Sequence, residues 1–197
     1  MRVSGVIQAG GKSTRMGGLP KALLELGGRR IIERVVDAIA PAVDDLLIVT
    51  NTPELYAFLG IAMVPDVHPD HGSLGGIFSG LAAAPGDAAF TVACDMPFLH
   101  RDVARLVVER ADQGDVVIPR VGDQLETLHA VYGKTCLHHI EARVRQGRLR
   151  ITGFFEEVRV VEIAEGEIAR YGDPGVVFMN VNTPEELARA RVIAAGG

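Results

Sequence analysis

A chain of 197 residues with 48% hydrophobic and 23% charged residues has the size and composition of a globular domain, which excludes a disordered tail, a collagen-like chain and a coiled-coil rod. A formal net charge of -5 argues against a protein that tracks nucleic-acid backbones, and two cysteines far apart in sequence argue against a disulfide framework or a structural zinc site. No run approaches 18 apolar residues and no signal-peptide layout opens the chain, so a cytoplasmic location with no membrane partner is expected.

Val3-Ser4-Gly5-Val6-Ile7 is a short apolar run ending in a glycine-rich loop, as a buried strand of a parallel sheet would be. Residues 30–40 place Ile31, Ile32, Val35, Val36 and Ile39 at helical spacing, with Pro41 just beyond. Leu46 to Thr50 predicts a second strand, and Thr52-Pro53 a helix start. Ile61 to Val64 predicts a third strand, closed by Pro65-Asp66. A helix rich in small residues is expected from Gly72 through Ala84, then a fourth strand over Phe90–Cys94 that ends at Asp95-Met96-Pro97. A helix near 101–112, strands at Val116–Ile118 and Leu128–Tyr132, a helix over 134–146 and strands at Val158–Ile163 and Phe178–Val181 follow. The last helix starts at Pro184, with Thr183 as cap and Glu186 at the third position of a capping box. This β-α alternation predicts an α/β fold, a three-layer α/β/α sandwich with a mostly parallel central sheet, occupying residues 1–197 as one domain.

Open α/β sheets bind ligands outside the carboxyl ends of their strands, near the switch in strand order. Three segments there carry polar residues: Gln8 through Gly18, Pro65-Asp66 and Cys94 through Pro97. The first also breaks the acidic average. Residues 1–34 hold seven Lys/Arg against two acids, whereas residues 35–100 hold eight acids and no Lys or Arg. Glycines let backbone N–H groups approach phosphate oxygens, and Lys12, Arg15 and Lys21 supply positive charge around the same anion. A flexible turn with solvated charges is the plainer reading. A Walker A loop is excluded, because Val6 stands where that motif needs glycine.

Asp66 and Asp95 sit just after apolar strands, as ordinary turn residues or as carboxylates able to hold Mg²⁺ together with substrate phosphates. His68-Pro69-Asp70-His71 reads as an exposed loop rather than a metal pair, Cys94 as an inert buried thiol and His138-His139 as surface. Asn180 and Asn182 bracket Val181 and share one side of a strand end, in a turn or against a ligand.

The run Gln8-Ala9-Gly10-Gly11-Lys12-Ser13-Thr14-Arg15-Met16-Gly17-Gly18 with Lys21 resembles the signature loop of nucleotidyltransferases of the glycosyltransferase-A-like type. With Ile48 to Asn51, Pro65-Asp66, Gly72 to Gly80, Cys94 to Phe98 and Asn180 to Leu187 in the same order, nearly the whole chain resembles the molybdenum cofactor guanylyltransferase family. The resemblance implies a Rossmann-like, nucleotide-diphospho-sugar transferase fold. It implies transfer of GMP from GTP to molybdenum-molybdopterin with release of pyrophosphate, and Mg²⁺ as cofactor.

It further implies that Gln8, Ala9, Gly10, Gly11, Lys12, Lys21, Asn51, Asp66 and Asp95 contact the nucleotide. Arg15, Lys21 and Asp95 are the implied catalytic residues, with Asp95 the Mg²⁺ ligand, and Asn180 and Asn182 face molybdopterin. Implied protein partners are those that deliver molybdopterin and those that mature molybdoenzymes. Gln8 and Pro20 stand where the family usually has leucine and an acidic residue, so a cytidylyl- or sugar-phosphate nucleotidyltransferase is the alternative.

Overall fold

Strand β1 (Val3–Gln8) is buried along almost its whole length, as an apolar run without alternation requires. It belongs to a computed structural model that describes residues 1–10, 15–16 and 19–196, the side chains of residues 15, 16 and 19 excepted. Two short hairpins follow, β2 (Arg15–Met16) with β3 (Leu19–Pro20) and β4 (Glu25–Leu26) with β5 (Arg29–Arg30). The second turns on Gly27 and Gly28, both at positive φ (61° and 76°), as a two-residue hairpin loop of this hand demands.

Helix α1 (Ile31–Ile39), β6 (Asp45–Val49), β7 (Ala62–Val64), α2 (Gly72–Ala83) and β8 (Ala88–Ala93) carry the chain to its midpoint. Then come α3 (Arg101–Val108), β9 (Val116–Val121), β10 (Gln124–Leu125), β11 (His129–Gly133) and α4 (Leu137–Arg145). The chain continues with β12 (Val160–Ile163), α5 (Glu165–Ile168), α6 (Pro174–Val177) and α7 (Pro184–Gly196).

Eight strands form one sheet in the order β10-β9-β11-β8-β1-β6-β7, with β12 pairing to β9. Pairing is parallel from β8 through β7 and between β9 and β12, while β11 runs antiparallel to β8 and β9. From β1 the chain first builds outward through β6 and β7, then crosses back through α2 to place β8 on the other side of β1. The switch in strand order therefore lies between β1 and β8, whose last residues, Gln8 and Ala93, are paired.

Two apolar cores cover the sheet faces. Ile32, Val35, Val103 and Val107 of α1 and α3 pack with Ile7, Ile48 and Phe90 on one face; Leu74, Ile77, Leu81 and Ile140 of α2 and α4 pack with Val6, Val49 and Tyr132 on the other. A smaller cluster joins Leu26 and Ile31 to Val181, Leu187 and Ala190 of the C-terminal segment. The α2 helix approaches β1 closely enough that a Cβ on Gly80 would collide with Val6, and one on Gly76 would lie 2.5 Å from Gln8 Oε1.

The capping box before α7 forms as the sequence predicts: Glu186 N–H donates to Thr183 Oγ1 (3.2 Å) and Thr183 N–H to a Glu186 carboxylate oxygen (3.0 Å). Three expectations are corrected. Phe178–Val181 is not a strand; its apolar side chains are buried, yet Val181 N–H donates to the Asp95 carbonyl (2.9 Å) instead of joining a ladder. Thr52-Pro53 opens not a helix but two single 3₁₀ turns, Pro53–Leu55 and Ala57–Leu59, stopped by Gly60 at φ 63°. The strand expected from Val158 starts at Val160, because Asp115 Oδ2 and the Asp115 N–H take up the Arg159 backbone just before it.

Candidate functional site

The carboxyl ends of β1 and β8 open into a cleft of about 410 Å³. Its walls come from Gln8 and Gly10 after β1, Lys21 and Ala22, Cys94 and Asp95 after β8, Tyr56, Ser73 at the start of α2, and Asn180 with Asn182. The switch point thus collects residues from widely separated stretches of the chain, as the sheet order requires.

Lys21 opens a 3₁₀ turn (Lys21–Leu23) directly after the β2–β3 hairpin. Only 8% of the residue is exposed, and its Nζ donates to Asn182 Oδ1 at 2.9 Å. Asn182 is held in turn: its backbone N–H donates to the Glu186 carboxylate (2.6 Å) that also caps α7. Asp95 lies across the cleft. Burial pushes its carboxyl above the ordinary carboxylate range, and the neighbouring Lys21 ammonium opposes that rise. A cleft with one buried ammonium and one half-buried carboxylate, open to solvent, suits an anion on the lysine side and a cation on the aspartate side.

Beside the cleft is a smaller recess of about 130 Å³ lined by Gln8, Gly10, Val49, Asp66, Pro69, Gly72, Ser73 and Gly76. Asp66 enters it from the end of β7. One carboxylate oxygen of Asp66 accepts from His68 N–H and from the Ser79 hydroxyl, each at 2.9 Å. Asn51 does not line either space; its amide is spent on the Asp66 backbone, accepting from Asp66 N–H (3.0 Å) and donating to Asp66 C=O (3.4 Å). It clamps the ends of β6 and β7 together. Ala9 has its methyl in the core and its N–H on Val49 C=O (2.9 Å), so only its backbone is near the site.

The structure brings together Gln8, Gly10, Lys21, Asp95, Asn180 and Asn182 in one cleft and Asp66 in the adjoining recess. Gly11 and Lys12 lie outside the described residues, and Arg15 is described by its backbone alone, in β2. Tyr56, Ser73 and Leu128 were missed in sequence. Ser73 follows Gly72 at a helix start and could have been flagged by that position; Tyr56 and Leu128 reach the cleft only through tertiary packing.

Cys94 is buried, its thiol pushed up to about 12 chiefly by burial, which makes it the inert thiol expected. His68 and His71 meet edge to face (ring centroids 5.5 Å apart), and no cluster of three or more His, Cys, Asp or Glu able to hold a metal occurs among the described residues. Any metal at the cleft would therefore rest on Asp95 and on the ligand's own oxygens, a donor set that fits a hard divalent cation.

A mostly parallel α/β sheet with a lysine and an aspartate lining one cleft at its switch point is found here in a chain whose family match is to the nucleoside triphosphate transferases. The model of the MobA-like NTP transferase domain family matches residues 5–160. The chain is 41% identical over 197 residues to the molybdenum cofactor guanylyltransferase of Desulfosudis oleivorans, covering 99% of this chain and 97% of that one. It is 39% identical over 194 residues to a probable molybdenum cofactor guanylyltransferase of Pelotomaculum thermopropionicum, covering 98% and 94%. The crystal structure of molybdopterin-guanine dinucleotide biosynthesis protein A from Archaeoglobus fulgidus superposes with a TM-score of 0.83 at 25% identity, over 98% of this chain and all of that one. The chain belongs to the MobA-like NTP transferase family.

Proposed function

We propose that this protein transfers GMP from GTP to the terminal phosphate of molybdenum-molybdopterin, giving the guanine dinucleotide and pyrophosphate. The observation that carries the reading is the pairing of Lys21, seated on Asn182, with Asp95 across the switch-point cleft, in a chain so alike over its full length to guanylyltransferases. Both relatives carry the guanylyl name, which favours this reading over a cytidylyl- or sugar-phosphate nucleotidyltransferase.

The acceptor phosphate is already anionic at neutral pH, so the reaction needs no general base from the protein. The residues have to align two polyanions and offset the charge that repels them. Lys21, buried and directed by Asn182, places one positive charge at the cleft wall where the triphosphate would lie. Asp95 is the residue that would hold Mg²⁺, and the ion when bound neutralises charge at the α-phosphate and the departing pyrophosphate. Arg15 and Lys12, in the same loop, would add charge on the phosphate side; Gln8, Ala9, Gly10 and Gly11 would contact the nucleoside, with Asp66 next to the ribose. Asn51 serves the nucleotide indirectly by fixing Asp66.

Asn180 and Asn182 would face the acceptor. A groove of about 910 Å³ shares Ser73 with the cleft and is lined by Arg120, Arg150, Leu125, Ile151 and Phe155, giving the body of a large planar acceptor room beside the reacting phosphate. No described helix is long and apolar enough to cross a membrane, in keeping with a cytoplasmic enzyme acting on soluble cofactor and handing it to protein partners.

Pyrophosphate release measured in parallel with GTP, CTP, ATP and UTP, each with molybdopterin and Mg²⁺, tests the reading. GTP should be the preferred substrate, and preference for another nucleotide would overturn it.

A further inference from the structure

Tyr56 stands between the 3₁₀ turns Pro53–Leu55 and Ala57–Leu59, on the connection from β6 to β7. The residue is only 2% exposed and packs in the core that also holds Ala9, Ala22 and Cys94. The little of it that shows lies on the wall of the cleft. Its hydroxyl has no hydrogen-bond partner among the described residues. Nor is that oxygen sealed in the interior without a partner, as the Thr91 hydroxyl and both His129 ring nitrogens are. It therefore reaches the surface of the cleft.

An apolar ring at this position would pack as well, so the fold does not require the oxygen, and an unpaired polar atom at a core position costs stability. A ligand in the cleft accounts for it. Burial raises the phenol above its ordinary pKa, so the hydroxyl keeps its proton and stays a donor. Cys94 is the neighbour common to Tyr56 and the charged groups: the phenol feels Cys94, and the Cys94 thiol feels Asp95 and Lys21. Tyr56 lines the cleft with Lys21 and Asp95 but not the recess that holds Asp66. A permanent donor close to a lysine suits a ligand atom that only accepts and carries negative charge, which is a phosphate oxygen.

We propose that Tyr56 is a further catalytic residue, whose hydroxyl donates a hydrogen bond to a phosphate oxygen bound in the cleft beside Lys21. This rests on the guanylyl reading above and deepens it. The oxygen belongs to the triphosphate or to the acceptor, and the two arms of the test separate these sources.

The test compares wild type with Tyr56→Phe, which removes the oxygen and keeps the ring. Without ligand, the thermal midpoint of the variant should equal or exceed that of wild type, because folding loses no hydrogen bond. If the triphosphate supplies the oxygen, binding of GTP and of inorganic pyrophosphate, each with Mg²⁺, should weaken about tenfold, the scale of one hydrogen bond to a charged acceptor. If the acceptor supplies it, KM for molybdopterin should rise by a similar factor with GTP binding unchanged. Guanosine, which has no phosphate, should bind both proteins alike. Unchanged affinities together with an unchanged KM, an equal loss for guanosine, or a lower midpoint without ligand would overturn the assignment and leave the guanylyl reading in place. Wild type that binds neither GTP nor pyrophosphate would overturn both.

Discussion

At Lys21 the side-chain nitrogen of a residue only 8% exposed donates to Asn182 Oδ1 and shares the cleft with Asp95. A charged hydrogen bond of this kind contributes about 1.5–3 kcal/mol, so Lys21→Ala should lower kcat/KM at least about tenfold. Circular dichroism should show the fold retained, and wild-type turnover at saturating Mg²⁺ would refute the role. His129 poses a different residue-scale question. It is fully buried between the rings of Phe90 and Phe178, and neither ring nitrogen has a partner among the described residues. Burial holds its pKa down to about 3. In the unfolded chain an imidazole takes its proton near pH ~6.5, so below that pH the unfolded state binds a proton that the folded state refuses. Stability should therefore decline by about 1.4 kcal/mol per pH unit as pH falls from ~6.5 towards 3. Denaturation midpoints of wild type and His129→Leu, taken between pH 7 and pH 5, should diverge in that sense. Parallel curves would contradict the account.

Between elements, the decisive contact is α2 on β1. Gly80 brings the helix so close that a side chain there meets Val6 and Val49, and Gly76 makes the same approach at Gln8. Gly80→Val should destabilise the protein by about 2 kcal/mol or more, since overpacking a filled core costs about 1–3 kcal/mol and valine gains little helix propensity in return. An unchanged urea midpoint would show that the helix can move away at no cost. The same contrast between local and distant causes explains what could be read in the chain beforehand. The β-α alternation and the Thr183–Glu186 capping box were legible because apolar runs and cap residues act over a few neighbours. Phe178–Val181 misled because a short, mostly apolar segment looks like a buried strand, while the Val181 N–H is claimed by the remote Asp95 carbonyl. Gln8, Lys21, Asp95 and Asn182 were legible as candidates, but the Lys21–Asn182 bond and the Gln8 tether to Ser73 exist only once the sheet has ordered its strands.

Over the whole molecule, a net charge of -5 coexists with a basic first segment and a stretch of 66 residues, 35–100, that has no Lys or Arg. Folding sets the two against each other: Lys21 from the basic segment and Asp95 from the acidic one line the same cleft at the switch point, and Asp66 from the same acidic stretch lines the adjoining recess. The wide groove beyond Ser73 would give the proposed acceptor a separate approach. The most direct test of guanylyl transfer in this cleft uses GTP labelled in the α-phosphate, incubated with the protein, molybdopterin and Mg²⁺. The account predicts label in molybdopterin guanine dinucleotide with equimolar pyrophosphate, and loss of both in Asp95→Asn. Label that stays in GTP, or product formed equally by Asp95→Asn, would contradict it.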